Sequence, residues 1–142
     1  MNIAIINGPN LNLLGTREPQ VYGNQTFEDF YKTLVKKYPD VKFSYFQSNV
    51  EGELINELQR AGRNFNSNGI ILNPGGYTHT SVAIGDAIAS IDTPVIEVHI
   101  SNVHEREEFR KISHVSAKCK GSIVGLGLFG YELALQFLLN QK

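Results

Sequence analysis

A doubly wound parallel α/β sheet is the fold this 142-residue sequence predicts, on two observations. Short β-branched runs recur at 3–7, 41–48, 69–73, 94–100 and 122–125, with stretches of helical period between them. Continuous apolar stretches such as Ile3-Ala4-Ile5-Ile6 and Ile70-Ile71-Leu72 mark strands covered on both faces. Five such strands in a chain of this length fit a flavodoxin-like sheet with helices on both faces. At about 150 residues per domain, residues 1–142 are expected to form a single domain.

Taken in order, Ile3-Ala4-Ile5-Ile6-Asn7 is the first strand, and a connection of about 18 residues follows before the first helix. Phe27, Phe30, Tyr31, Leu34, Val35 and Tyr38 hold the i, i+3, i+4, i+7 spacing of one buried helix face. Thr26, three residues before Asp29, is a fitting cap for that helix. The run at 41–48 is the second strand, and Leu54, Ile55, Leu58 and Ala61 mark the second helix. After the strand at 69–73 a Pro-Gly-Gly turn leads into a third helix through Thr80 or Ser81. Val82, Ala83, Ala87, Ile88 and Ile91 mark that helix. The strands at 94–100 and 122–125 complete the sheet. The last helix, 131–140, has only Glu132, Gln136 and Asn140 as polar residues, four apart, which predicts one narrow wet stripe and burial on more than one side.

Composition narrows the function. Thirteen basic against fourteen acidic residues leave a net charge of −1, so no basic footprint for nucleic acid exists. The amino terminus lacks a basic segment ahead of an apolar core, and no apolar run approaches 18 residues. Neither a signal peptide nor a membrane span is therefore expected. One cysteine, Cys119, cannot form an internal disulfide. The expectation is a cytoplasmic protein acting on something small.

Ligands of open parallel sheets bind beyond the carboxyl ends of the strands. After the first strand, the long connection holds Arg17 and Tyr22, with Gly15 and Gly23 as candidate hinges. After the third, Asn73-Pro74-Gly75-Gly76-Tyr77-Thr78-His79-Thr80 allows close backbone approach ahead of a helix amino end suited to an anion. On the fourth strand, Glu97, His99 and Ser101 share a face by the two-residue period. A carboxylate and an imidazole inside an apolar strand are costly unless paired. At a strand's carboxyl end they suggest a general acid, His99, whose tautomer and orientation Glu97 fixes.

Three other patterns carry less. Gly125-Leu126-Gly127-Leu128-Phe129-Gly130 matches the dinucleotide fingerprint, but the 12 residues after it leave no room for the second strand of that unit. Tight strand–helix packing explains it better. His79, His99, His104 and His114 fit no metal-ligand spacing, so no metal is expected. No G-x-S-x-G elbow exists for serine hydrolysis. A flavin- or nucleotide-binding module is the alternative reading of the fold, and it lacks a hydroxyl-rich phosphate loop after the first strand.

Four segments resemble a known family, the type II 3-dehydroquinate dehydratases. The first is Gly8-Pro9-Asn10-Leu11-Asn12-Leu13-Leu14-Gly15 with Arg17-Glu18-Pro19 and Tyr22-Gly23. The second is Asn73-Pro74-Gly75-Gly76-Tyr77-Thr78-His79-Thr80-Ser81. The third is Glu97-Val98-His99-Ile100-Ser101-Asn102 with Arg106-Glu107-Glu108-Phe109-Arg110, and the fourth runs over 121–135. The sequence departs from many relatives at Lys111-Ile112 and His114-Val115, which puts the lining near the site in question.

The resemblance implies a flavodoxin-like enzyme of the shikimate pathway, without cofactor or metal, that assembles as a dodecamer of four trimers. It eliminates water from 3-dehydroquinate to give 3-dehydroshikimate through an enolate. By resemblance Tyr22 is the base. A free phenol ionises near pH 10, so base chemistry at neutral pH requires a lowering by about three pH units, about 4 kcal/mol. Arg17 and a second cation nearby are expected to supply it. The resemblance makes Asn12 a stabiliser of the enolate and His99, held by Glu97, the acid. It assigns Asn73, His79, Ile100, Ser101 and Arg110 to the substrate's hydroxyls and carboxylate, and Asp86 to a neighbouring subunit's site.

Overall fold

Five strands lie side by side: β1 (Asn2–Asn7), β2 (Lys42–Gln47), β3 (Gly69–Asn73), β4 (Val95–His99) and β5 (Gly121–Val124). Their order is β2-β1-β3-β4-β5 and every neighbouring pair is parallel. This is the flavodoxin-like order, with its switch between β1 and β3. The computed structural model describes residues 1–16, 20, 24–63 and 66–141.

Four helices cover the sheet: α1 (Phe27–Lys37), α2 (Glu51–Gly62), α3 (Val82–Ala89) and α4 (Phe129–Leu139). Strand alternation divides the apolar side chains between two faces. Ile3, Ile5, Ile71, Ile96 and Val98 pack with α1 and α4, while Ala4, Ile6, Ile70, Leu72 and Val95 pack with α2 and α3. Glu97 and His99 share the parity of Val95, and therefore the α2–α3 face. The expected cap of α1 forms, Thr26 Oγ1 accepting the Asp29 N–H at 3.2 Å. Ser81, not Thr80, caps α3, accepting the Ile84 N–H at 2.9 Å.

Some boundaries move. β4 ends at His99, which leaves Ser101 two residues beyond the strand and outside its two-residue period. α3 ends at Ala89, with Ser90 Oγ closing onto the Ala87 carbonyl at 2.7 Å, although Ile91 still packs against the same core. The glycines of 125–130 serve the β5–α4 connection. Gly125 and Gly127 have φ of +85° and +62°, and a Cβ on Gly130 would sit 3.3 Å from Val98 and 3.4 Å from Ile123.

The wet stripe expected on α4 is a packed one. Glu132 is buried, accepting the Tyr38 hydroxyl at 2.7 Å and pairing with Lys37 at 2.5 Å, and Gln136 reaches the same hydroxyl at 3.3 Å. The polar residues tie α4 to the end of α1, and the apolar Phe129 and Phe137 face outward, with Leu126 exposed just ahead of the helix. Among the described residues, no helix is long and apolar enough to cross a membrane.

Candidate active site

A cleft of about 120 Å³ opens at the carboxyl ends of β1, β3 and β4. Asn73, His79, His99, Ile100 and Arg110 line it together, as the sequence suggests, with Asn10 and Arg106 completing the polar wall. Wider grooves of about 640 and 540 Å³ lie along α4 and at the amino ends of β3 and β4. Neither gathers histidines or sits where parallel sheets bind ligands.

The first loop is held to the sheet from below. Gly8 donates its N–H to the Asn73 carbonyl at 2.7 Å, and a Cβ there would lie 2.6 Å from the Pro74 oxygen, so only glycine permits this approach. Gln47, at the end of β2, donates to the Gly8 carbonyl at 3.1 Å, and Asn10 donates its N–H to Asn49 Oδ1 at 3.0 Å. The long first connection contains a tight turn, Leu11–Leu13, whose Leu11 is buried along with the following Leu14. Asn12 is exposed on that turn, 3.5 Å from Gln47 Nε2. Gly15 has φ +93°, and a Cβ there would stand 2.8 Å from the Asn24 carbonyl, so its backbone closely approaches that of Asn24. Arg17, Tyr22 and Gly23 lie outside the described residues.

Asn73 is fixed at both ends of its amide. Nδ2 donates to the Tyr131 hydroxyl at 2.9 Å and Oδ1 accepts the Gly75 N–H at 3.1 Å. Tyr131 in turn donates to Asn7 Oδ1 at 2.8 Å, so a side chain of α4 braces the ends of β1 and β3. His79 Nδ1 donates to the Ile112 carbonyl at 2.7 Å, which leaves Nε2 available on the cleft side. Burial, and then the neighbouring His99 and Arg110, hold the His79 pKa below its ordinary value.

Glu97 is fully buried and takes His99 Nε2–H at 2.6 Å. Burial alone would push its carboxyl pKa up. His99 and the hydroxyls of Ser116 and Thr78 outweigh that, and the net direction is down. His99 Nδ1 is thereby the nitrogen left for chemistry. Arg110 is held by Glu107 through an Nε–Oε2 contact of 2.5 Å, and Arg106 lies 4.0 Å from the same carboxylate. Asp86 is exposed on the outer side of α3 and is no part of the cleft lining. The cleft lining takes in neither Asn12 nor Ser101. Among the described residues, no group of three or more His, Cys, Asp or Glu side chains is placed to hold a metal. Burial, and then Glu97, push the Cys119 thiol up to about 12, which disfavours its thiolate.

Sequence reasoning missed Arg106 as a wall residue and Thr78, Ser113, Ser116 and Ser122 as partners of the Glu97 group. Ser122 was the most accessible, since the β4–β5 register sets it opposite Glu97. The departures at Lys111, Ile112 and His114 fall on exposed positions and Val115 is a core residue; Ile112, His114 and Val115 meet the site's residues through their backbones.

The model of the family described as dehydroquinase class II matches residues 1–139. The chain belongs to the class II dehydroquinase family. It is 52% identical to a 3-dehydroquinate dehydratase of Fusobacterium nucleatum, over 99% of this chain and 97% of that one. It is 55% identical to a 3-dehydroquinate dehydratase of Polynucleobacter asymbioticus, over 95% and 91%. The crystal structure of the type II dehydroquinase from Butyrivibrio crossotus is similar to it with a TM-score of 0.94 at 48% identity, covering 99% of this chain and 98% of that one. The flavodoxin-like sheet order of this chain places the cleft at the switch point between β1 and β3.

Proposed function

We propose that this chain eliminates water from 3-dehydroquinate to give 3-dehydroshikimate. A proton leaves the carbon next to the ketone, the bond to the hydroxyl on the following carbon breaks, and that hydroxyl departs as water after taking a proton. The observation that carries the acid half is the buried Glu97–His99 pair in the cleft wall. A charged Glu97 stabilises the imidazolium, and Nδ1 delivers the proton to the departing hydroxyl. Tyr22 is the base, and Arg17 and Arg106, the latter in the cleft wall, are the cations that favour its ionised form. Asn12 stabilises the enolate. Asn73, His79, Ile100, Ser101 and Arg110 hold the substrate, the arginine fork suiting paired oxygens.

Asp86, exposed and outside the lining of its own cleft, serves a second copy of the chain. The exposed outer face of α3, Val82, Ala83 and Asp86, fits a subunit contact, and the assembly is a dodecamer of four trimers. No cofactor takes part.

The test is ultraviolet absorbance of the protein with 3-dehydroquinate, because the product's ketone conjugates with its new double bond. Turnover is expected to survive a chelator and borohydride, and to be abolished in a folded Tyr22→Phe variant. Loss with borohydride would replace this mechanism with a lysine imine, and substantial activity in Tyr22→Phe would remove the tyrosine as base. A yellow preparation without turnover would favour the flavin-binding alternative.

A further inference from the structure

The carboxylate of Glu97 is enclosed by hydroxyls from three separate segments. Thr78 Oγ1 donates to Oε1 at 2.6 Å, beside His99 Nε2–H. Ser116 Oγ donates to Oε2, and Ser122 Oγ reaches the same oxygen at 3.2 Å. Four donors thus meet the four lone-pair positions of one buried carboxylate. Behind them Ser113 acts as a hub. Its Oγ accepts the N–H groups of Val115 at 3.1 Å and Ser116 at 2.9 Å, and lies 2.7 Å from Thr78 Oγ1. A hydroxyl has one proton. Thr78 spends its proton on Glu97, so Ser113 donates to Thr78; Ser116 Oγ also lies 2.9 Å from Ser113 Oγ and directs its one proton to the nearer, charged Glu97 oxygen, so the donors run towards the carboxylate.

We propose that Ser116, with Thr78, is a positioning residue for the acid step: the two hydroxyls hold Glu97 as a carboxylate while His99 is neutral, and so set how readily His99 releases its proton. This rests on the dehydratase reading of the cleft. When His99 is protonated, the ion pair itself compensates Glu97. When His99 has given its proton away, the hydroxyls are the chief compensation left for a fully buried charge. Removing one of them destabilises the proton-free pair relative to the pair holding one proton. That conclusion is the same whether the proton sits on His99 or on Glu97, because the pair titrates as a unit. The apparent pKa of the pair therefore rises, and His99 becomes the weaker acid.

Other titratable groups face the pair without replacing the hydroxyls. The His79 ring stacks against His99 at 6.5 Å from the 75–79 turn, Arg106 and Arg110 share the cleft from the segment after β4, and Cys119 stands beside Glu97 as a neutral thiol. All keep their places in a Ser116 variant.

The experiment compares Ser116→Ala and Ser116→Thr with the wild type, using protein carrying ¹³C-labelled histidine and assigning His99 by the signal lost in His99→Asn. In Ser116→Ala the His99 titration is expected about one pH unit higher, the effect of one charge-assisted hydrogen bond. The kcat is expected to fall about tenfold while KM stays within about twofold, and Ser116→Thr restores both, since it keeps the hydroxyl. A structural role alone would lower stability and leave the titration where it was. A His99 titration unchanged or lowered in folded Ser116→Ala overturns the proposal, whatever happens to kcat. If that variant does not fold, Thr78→Val removes a hydroxyl from the other oxygen and is judged by the same upward shift. The titration needs no turnover. An inactive wild type would thus sink the dehydratase reading while the hydroxyl cage was still being read.

Discussion

Glu97 combines full burial with a lowered pKa, and that combination makes a pH prediction. The native state binds a proton at Glu97 more weakly than the unfolded chain, whose value lies near 4.5. The stability this group contributes is thus fully present above pH 4.5 and is lost as the pH falls further, through the native value. Glu97→Gln is expected to destabilise the protein by about 2 kcal/mol at pH 7, since charge-assisted bonds to His99, Thr78 and Ser116 are lost. In urea unfolding at fixed protein concentration, the gap between variant and wild type should narrow below pH 4.5. A gap that does not change with pH would mean that Glu97 is not the charged partner. Of this arrangement, the sequence makes the Glu97–His99 pair legible through the two-residue period of a strand. The hydroxyl cage is not legible, because Thr78, Ser116 and Ser122 come from segments whose approach depends on tertiary packing.

Among the elements, the turn over 113–116 is set by α3. A Cβ on Gly85 would lie 2.4 Å from the His114 carbonyl, so the turn seats directly on the helix at a glycine. The His114 N–H, bound to the Thr78 carbonyl at 2.8 Å, joins that turn to the 75–79 turn. Gly85→Ala must push away the segment that carries Ser113 and Ser116. It is expected to cost about 1–3 kcal/mol as overpacking and to lower kcat more than it raises KM. Wild-type kcat together with an unchanged unfolding midpoint would show that the seat is not tight. Tyr131 makes the matching brace on the other face. Tyr131→Phe leaves buried Asn7 Oδ1 and Asn73 Nδ2 without their partner, and about 1–3 kcal/mol should be lost on denaturant unfolding. On α4 the periodicity pointed to a wet face, but the spacing of Glu132, Gln136 and Asn140 says only that they share a side. The Lys37–Tyr38 end of α1 takes up that side through Glu132 and Gln136, and periodicity could not foresee it.

At the scale of the whole molecule, sheet order decides where chemistry can occur, and the parallel class was legible because short strands, most of them apolar, alternate with helices. The cleft lies where β1 and β3 part, and the first loop, the 75–79 turn and the segment after β4 converge on it. Asp86 belongs to none of these and is exposed on α3; in the proposed reading it serves a neighbour's site, and that reading has a direct test. If each site takes Tyr22 from its own chain and Asp86 from a neighbour, two inactive variants can repair each other. Tyr22→Phe and Asp86→Ala are each expected to be severely impaired as pure assemblies. When they are unfolded together in equal amounts and refolded, half the sites carry an intact Tyr22, and half of those meet a neighbour's intact Asp86. About one quarter of wild-type activity should therefore return, because head-to-tail contacts pair each chain with another at random. Mixing the separately folded proteins should return nothing until subunits exchange. If co-refolding gives no more than the sum of the two variants, Asp86 acts within its own chain or not at all.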